Sequence, residues 1–135
     1  MDLRDTTKIS GAGMKVQSAR LRVASENLAN ASTTPSGPGE EPYRRKTIHL
    51  HEVEDRDTGL ELVDVRRYGV DRAPFGTRFD PSHPAADEDG TVATPNVTPL
   101  IELMDIREAQ RSYEANLSAM GVTRSMIQRT IDLLR

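Results

Sequence analysis

The last third of the chain carries the pattern that most restricts its fold, because two seven-residue series run there side by side. Leu103, Gln110, Leu117, Arg124 and Ile131 form one series; Ile106, Tyr113, Met120, Ile127 and Leu134 form the other, offset by three. An a/d pattern kept up over about five heptads dictates an α-helix that lies along a partner helix at a shallow left-handed crossing. Thr98-Pro99 marks its start, with a hydroxyl that can accept an orphan N–H and a proline placed where its missing donor costs nothing. Gly121 is the weak point, costing about 1 kcal/mol relative to Ala. A helix from residue 98 onward is roughly 50 Å long. Such a length cannot be enclosed by a chain of 135 residues. Its seam needs partners.

The first thirty residues make the same demand. Ile9, Val16 and Val23 repeat at seven, as do Met14, Leu21 and Leu28. These two stripes stand about 140° apart around a helix. Lys8, Lys15, Arg22 and Glu26 share one narrow polar strip, and Ala12, Gly13, Ala19 and Ala24 fill much of the rest. The C-terminal helix carries a second apolar set away from its seam, formed by Leu100, Met104, Val122, Met126 and Leu133. An antiparallel hairpin of the two helices occupies one face of each. The further stripes ask for more contact than one copy supplies.

Between the helices lie seven of the eight prolines. Thr47–Val53 and Leu60–Leu62 alternate partially and flank Asp57-Thr58-Gly59, which predicts a β-hairpin, with Val63–Val70 extending its second strand. Residues 31–42 are loop-like by composition, and Ala73–Ala86 reads as extended and proline-punctuated. The fold expected is mainly α with a small β insert. It has three segments: a helical assembly segment (1–30), a loop and β-hairpin segment (31–97) and a coiled-coil helix (98–135), the first and last forming one core.

Chemistry finds little support. The chain has no cysteine, which excludes disulfides, thiolate metal sites and thiol catalysis. Asp87-Glu88-Asp89-Gly90 suggests a calcium loop, but the twelfth position counted from Asp87 is Thr98 rather than a bidentate Glu, so a solvated turn is expected. His49 and His51 with Glu52 or Glu54 lack the downstream spacing of a zinc site and read as exposed strand histidines. Gly11-Ala12-Gly13-Met14 follows no strand and is not a phosphate loop. No grouping of Ser, His and Asp suggests a nucleophile. Arg44-Arg45-Lys46 reads as a solvated basic cluster leading into the first strand. With 18 basic against 21 acidic side chains, a nucleic-acid surface is not expected. No catalytic, cofactor or metal residue, no cofactor and no small-molecule substrate is predicted. The polar opening Met1-Asp2-Leu3-Arg4-Asp5 has no apolar stretch of the kind a cleavable signal uses.

Two stretches carry more than periodicity. Ser25-Glu26-Asn27-Leu28-Ala29-Asn30-Ala31-Ser32-Thr33-Thr34 resembles the N-terminal signature of the flagellar rod and hook axial family, a helix running into S-x-N-[LI]-A-N-x-x-T. Ala109-Gln110-Arg111-Ser112-Tyr113-Glu114-Ala115-Asn116 is similar to that family's C-terminal motif. The short length, Tyr43-Arg44-Arg45-Lys46, the run Asp80–Gly90 and Thr94-Pro95-Asn96-Val97 look like its proximal-rod members. Gly121–Arg124 departs from the family by lacking an acidic residue there.

The resemblance implies a structural subunit carried out of the cytoplasm, without signal cleavage, by the flagellar type III export apparatus. It implies a place in the periplasmic rod of the basal body. Partners would be copies of itself, other rod proteins, and membrane-ring and export-gate components. The assembly residues it implies are Ser25, Asn27, Leu28, Ala29, Asn30, Ala109, Gln110, Arg111, Tyr113, Glu114 and Asn116. The periodicity adds the seam residues Leu103, Ile106, Leu117, Met120, Ile127, Ile131 and Leu134. Asn27 and Asn30 also suit a left-handed helix C-cap, and Gln110 and Arg124 suit register-fixing seam positions. The competing reading is a helical adaptor or export chaperone that binds a client through the same seam.

Overall fold

A computed structural model describes residues 2–134. The elements run α1 (Leu3–Ala29), β1 (Lys46–Glu54), β2 (Glu61–Val70), β3 (Gly76–Phe79), β4 (Thr91–Thr94) and α2 (Pro99–Leu133). Two long terminal helices thus enclose a small β part, and the fold is mainly α.

α1 starts at Asp2, whose backbone N–H donates to the Asp5 carboxylate at 2.8 Å, a local closure that satisfies one orphan donor. α2 starts after Thr98 with Pro99 at its first position. The Thr98 hydroxyl caps nothing; its carbonyl instead accepts from Ile101 N–H at 3.0 Å and Glu102 N–H at 3.3 Å. The expected side-chain cap is therefore replaced by the first backbone bonds of the helix.

The helices are antiparallel. Gly11 lies beside Met120, Gly13 beside Asn116, and Asn27 hydrogen-bonds Glu102. Their contact depends on small residues. A Cβ on Gly13 would stand 2.9–3.1 Å from the Asn116 amide group, so the missing side chain makes room for that amide between the helices. α1 buries Ser10, Val16, Val23, Ala24 and Asn27, while α2 buries Glu102, Ala109 and Thr123.

β1 and β2 pair antiparallel as the hairpin expected from the sequence, extending from Lys46↔Val70 to Glu54↔Glu61. The register shifts between His49, opposite Arg67, and Leu50, opposite Val65, leaving Arg66 as the extra residue of a bulge. Bulges of this kind raise the local twist. The loop is closed by Asp55, whose carboxylate accepts from the N–H groups of Asp57 and Thr58, and by Gly59 at φ 66°. The hairpin lies along α1.

The region expected to be merely extended, Ala73–Ala86, contains a strand. β3 pairs antiparallel with β4, Gly76↔Thr94 to Phe79↔Thr91, in a second two-stranded sheet. Four residues per strand are too few to show alternation, and all of β3 is exposed, so hydrophobicity could not announce it. Between them Asp87 accepts from the Thr91 N–H at 2.7 Å and the Thr91 hydroxyl at 2.6 Å, and Gly90 turns the chain at φ 74°. Asp87–Gly90 is thus a turn closed by its own carboxylate.

The core is slight. Among the described residues the buried apolar side chains are Val16, Val23, Ala24, Ala85, Val92 and Ala109. No helix among them is long and apolar enough to cross a membrane.

Candidate assembly surface and its polar anchor

Where α1 ends, α2 begins and β1 departs, a cluster of polar side chains joins the three. Asn27 is 1% exposed. Its amide nitrogen donates to the Lys46 carbonyl at 2.9 Å and to Glu102 Oε2 at 3.2 Å. Its amide oxygen accepts from Lys46 N–H and from the Tyr43 hydroxyl, both at 2.8 Å. Asn27 therefore pairs with the backbone of β1 as a neighbouring strand would. Burial raises the Tyr43 phenol above its ordinary value, in keeping with a hydroxyl that donates.

Glu102, also 1% exposed, is the largest fully buried side chain of the described residues. Arg45 Nε binds its Oε1, and the same guanidinium reaches Asp105 at 3.6 Å. The Arg45 N–H donates to Asn96 Oδ1 at 2.8 Å, and the Asn96 amide donates to the carbonyls of Asp71 and Ala73. Arg44 donates to the same two carbonyls and stacks over Phe75, 4.1 Å from the ring centroid. No buried side-chain N or O among the described residues lacks a partner. The basic run expected to be solvated is thus a structural anchor.

The motif residues fall into two groups. Asn27, Ala109 and Asn116 are turned inward, with Ala109 fully buried between the helices and the Asn116 amide donating to the Ser112 carbonyl at 2.9 Å. Tyr113 and Leu28 are half-buried. Ser25, Ala29, Gln110, Arg111 and Glu114 are exposed, and so is Arg124. Neither asparagine adopts the left-handed cap. Asn30 is the C-cap of α1 at φ −100°, its amide bonded to the Glu26 carbonyl, while Asn27 stays helical one turn earlier. The long-range partners of Asn27 take its amide away from the cap.

The seam residues also divide. The line of α2 that meets α1 runs through Glu102, Ala109, Asn116 and Thr123. Ile106, Met120 and Ile127, one series of the sequence pattern, lie about 40° round from that line and are half-buried. Leu103, Leu117 and Ile131, the other series, lie about 100° round and are 44–52% exposed. Leu134 is exposed at the helix end. Leu100, Met104, Val122, Met126 and Leu133 are exposed as well. Hydrophobicity alone could not reveal a line made of Glu, Ala, Asn and Thr; its own seven-residue spacing was the available signal.

His49 and His51 are exposed. His83 accepts from the Ala85 N–H at 3.0 Å and meets the Thr34 hydroxyl at 3.0 Å, tying two loops together. Among the described residues no three His, Asp or Glu side chains are grouped to hold a metal ion.

Known proteins resemble the chain along its length. Residues 88–133 match the family described as flagellar basal body rod FlgEFG protein C-terminal. The chain is 50% identical over 133 residues to the flagellar basal-body rod protein FlgC of Agrobacterium fabrum, covering 98% of this chain and 96% of that protein. It is 34% identical over 133 residues to FlgC of Salmonella typhimurium, covering 98% of each. It is 33% identical over 140 aligned positions to FlgC of Bacillus subtilis, covering 93% of each.

Proposed function

The chain belongs to the FlgC family of flagellar basal-body rod proteins, and we propose that it builds the rod by laying the outward side of α2 against neighbouring subunits. As a family member it is a structural subunit of the flagellar basal body and serves motility.

The observation that carries the assembly reading is the apolar side of α2. Leu100, Ile101, Leu103, Met104 and Leu117 are each 44–67% exposed. Apolar surface of this extent on one element marks a contact surface. The α1–α2 pair provides the wall, and the polar anchor fixes the base of the β part to it. Partners on that side are further copies of the chain and other rod proteins, with ring and export-gate components at the rod's ends. The proximal position rests on the short middle segment, which lacks a large inserted domain. Passage through the flagellar type III export apparatus accounts for a basal-body location reached from the cytoplasm.

Peptide mass spectrometry of purified hook–basal bodies, stripped of filament, tests the reading. The chain should be enriched there over the soluble fraction. Recovery in the cytoplasm alone would instead indicate an adaptor or export chaperone.

A further inference from the structure

The β1–β2 hairpin is joined to the rest of the molecule in two unlike ways. Its base is held by hydrogen bonds that involve backbone: Asn27 to both polar groups of Lys46, Asp71 N–H to the Arg45 carbonyl, and Asn96 to the Asp71 and Ala73 carbonyls. Its length is held to α1 by side-chain tips. Lys8 Nζ meets Asp55 at 2.9 Å, Lys15 Nζ meets Asp64 at 2.9 Å, and Arg22 donates to the Tyr68 hydroxyl at 2.8 Å. The three donors are seven residues apart, so they form one row along α1.

Behind these rungs the packing is open. Lys15, Ala19, Arg22, Asp64 and Tyr68 border one cavity, and Lys8, Ala12, Val53, Asp55 and Leu62 border another. No residue of β1 or β2 is buried. Ile48, Leu62, Val63 and Val65 are no more than half-buried, so apolar contact is a modest part of the docking, and ion pairs that keep contact with solvent are weak and screened by salt. The strands themselves are joined by a full ladder of backbone bonds, which salt affects far less.

We propose that the β1–β2 hairpin is an electrostatically latched arm. It is hinged where residues 43–46 and 71–73 meet the anchor, lies along α1 at low ionic strength, and swings away with its strands still paired when the Lys8–Asp55 and Lys15–Asp64 pairs are screened or removed, the single Arg22–Tyr68 contact being too little to hold it. The device is independent of the rod assignment, because it belongs to the single chain.

A chain without cysteine accepts spin labels cleanly. Thr58→Cys at the hairpin tip and Arg124→Cys on α2 report the arm; Arg72→Cys with Arg124→Cys reports the base. In pulsed electron resonance on the full chain, the tip pair should give one narrow distance distribution in about 50 mM NaCl. In 1 M NaCl, where the Debye length is about 3 Å, about half or more of that population should move to longer, broader distances. The base pair should stay narrow in both. Lys8→Gln with Lys15→Gln should release the tip already at low salt. A tip distribution unchanged by salt and by that double variant would overturn the latch. So would a tip that is broad at low salt, or a base that broadens together with the tip.

Discussion

At Asn27 one amide group meets three separate parts of the chain, the Lys46 backbone, Tyr43 and Glu102. Asn27→Ala leaves that backbone pair and part of a buried carboxylate without partners, and should destabilise the fold by about 2–3 kcal/mol. Glu102→Ala strips Arg45 and Asn27 together and should cost about 3 kcal/mol, whereas Glu102→Gln, which keeps the shape, should cost less. Urea unfolding of the three variants would rank them. Two glycines separate in the same assay. Gly13→Ala forces the Asn116 amide off its bond to the Ser112 carbonyl, which outweighs the helix gain of about 1 kcal/mol and should leave a net loss of about 1 kcal/mol. Gly121→Ala meets nothing within 4 Å and should stabilise the helix by about 0.5–1 kcal/mol. The sequence marked Asn27 as significant through its motif. It could not reveal the role, since both main partners lie 19 and 75 residues away.

The helices and the hairpin were legible as elements because periodicities of seven and two survive in the residues that form them. The rotation of α2 was less legible. Its hydrophobic residues face two directions, and only the half-buried Ile106, Met120 and Ile127 series adjoins α1. The expected charge strip on α1, Lys8, Lys15, Arg22 and Glu26, holds the hairpin through Asp55, Asp64, Tyr68 and Lys46. Hydrogen bonds and charges from these lysines keep Asp55, Asp64 and Glu26 below the usual carboxylate range. Lowered values mean a contribution that is complete above the ordinary carboxylate values, near 4, and lost as pH falls through the folded ones. The hairpin should therefore stay docked from pH 8 to 5 at low salt, begin to loosen near pH 4 and detach only as pH falls well below it, which the tip spin-label distance would follow.

For the whole molecule, six buried apolar side chains among the described residues make a thin core, while one flank of α2 stays apolar and open. A charge on that flank should spare the monomer and abolish the polymer. Leu103→Asp, at a side chain that is 44% exposed, should cost no more than about 1–1.5 kcal/mol, yet give a non-motile strain in a soft-agar swarm assay. Ile127→Asp, beside α1, should lower stability as well. Normal swarming by the Leu103 variant would move the contact surface elsewhere.

The antiparallel course of α1 and α2 also governs when the chain can fold. Val16 and Ala109 share the interior, as do Asn27 and Glu102, which lie 75 residues apart, so the first helix meets its packing partner only after most of the chain has been made. Such distant pairings are slow to form. A ribosome or a secretion conduit handling the N-terminal segment first would therefore hold a chain that cannot yet close on itself. Threadability would thus follow from the order of the elements, without a separate factor to keep the subunit open.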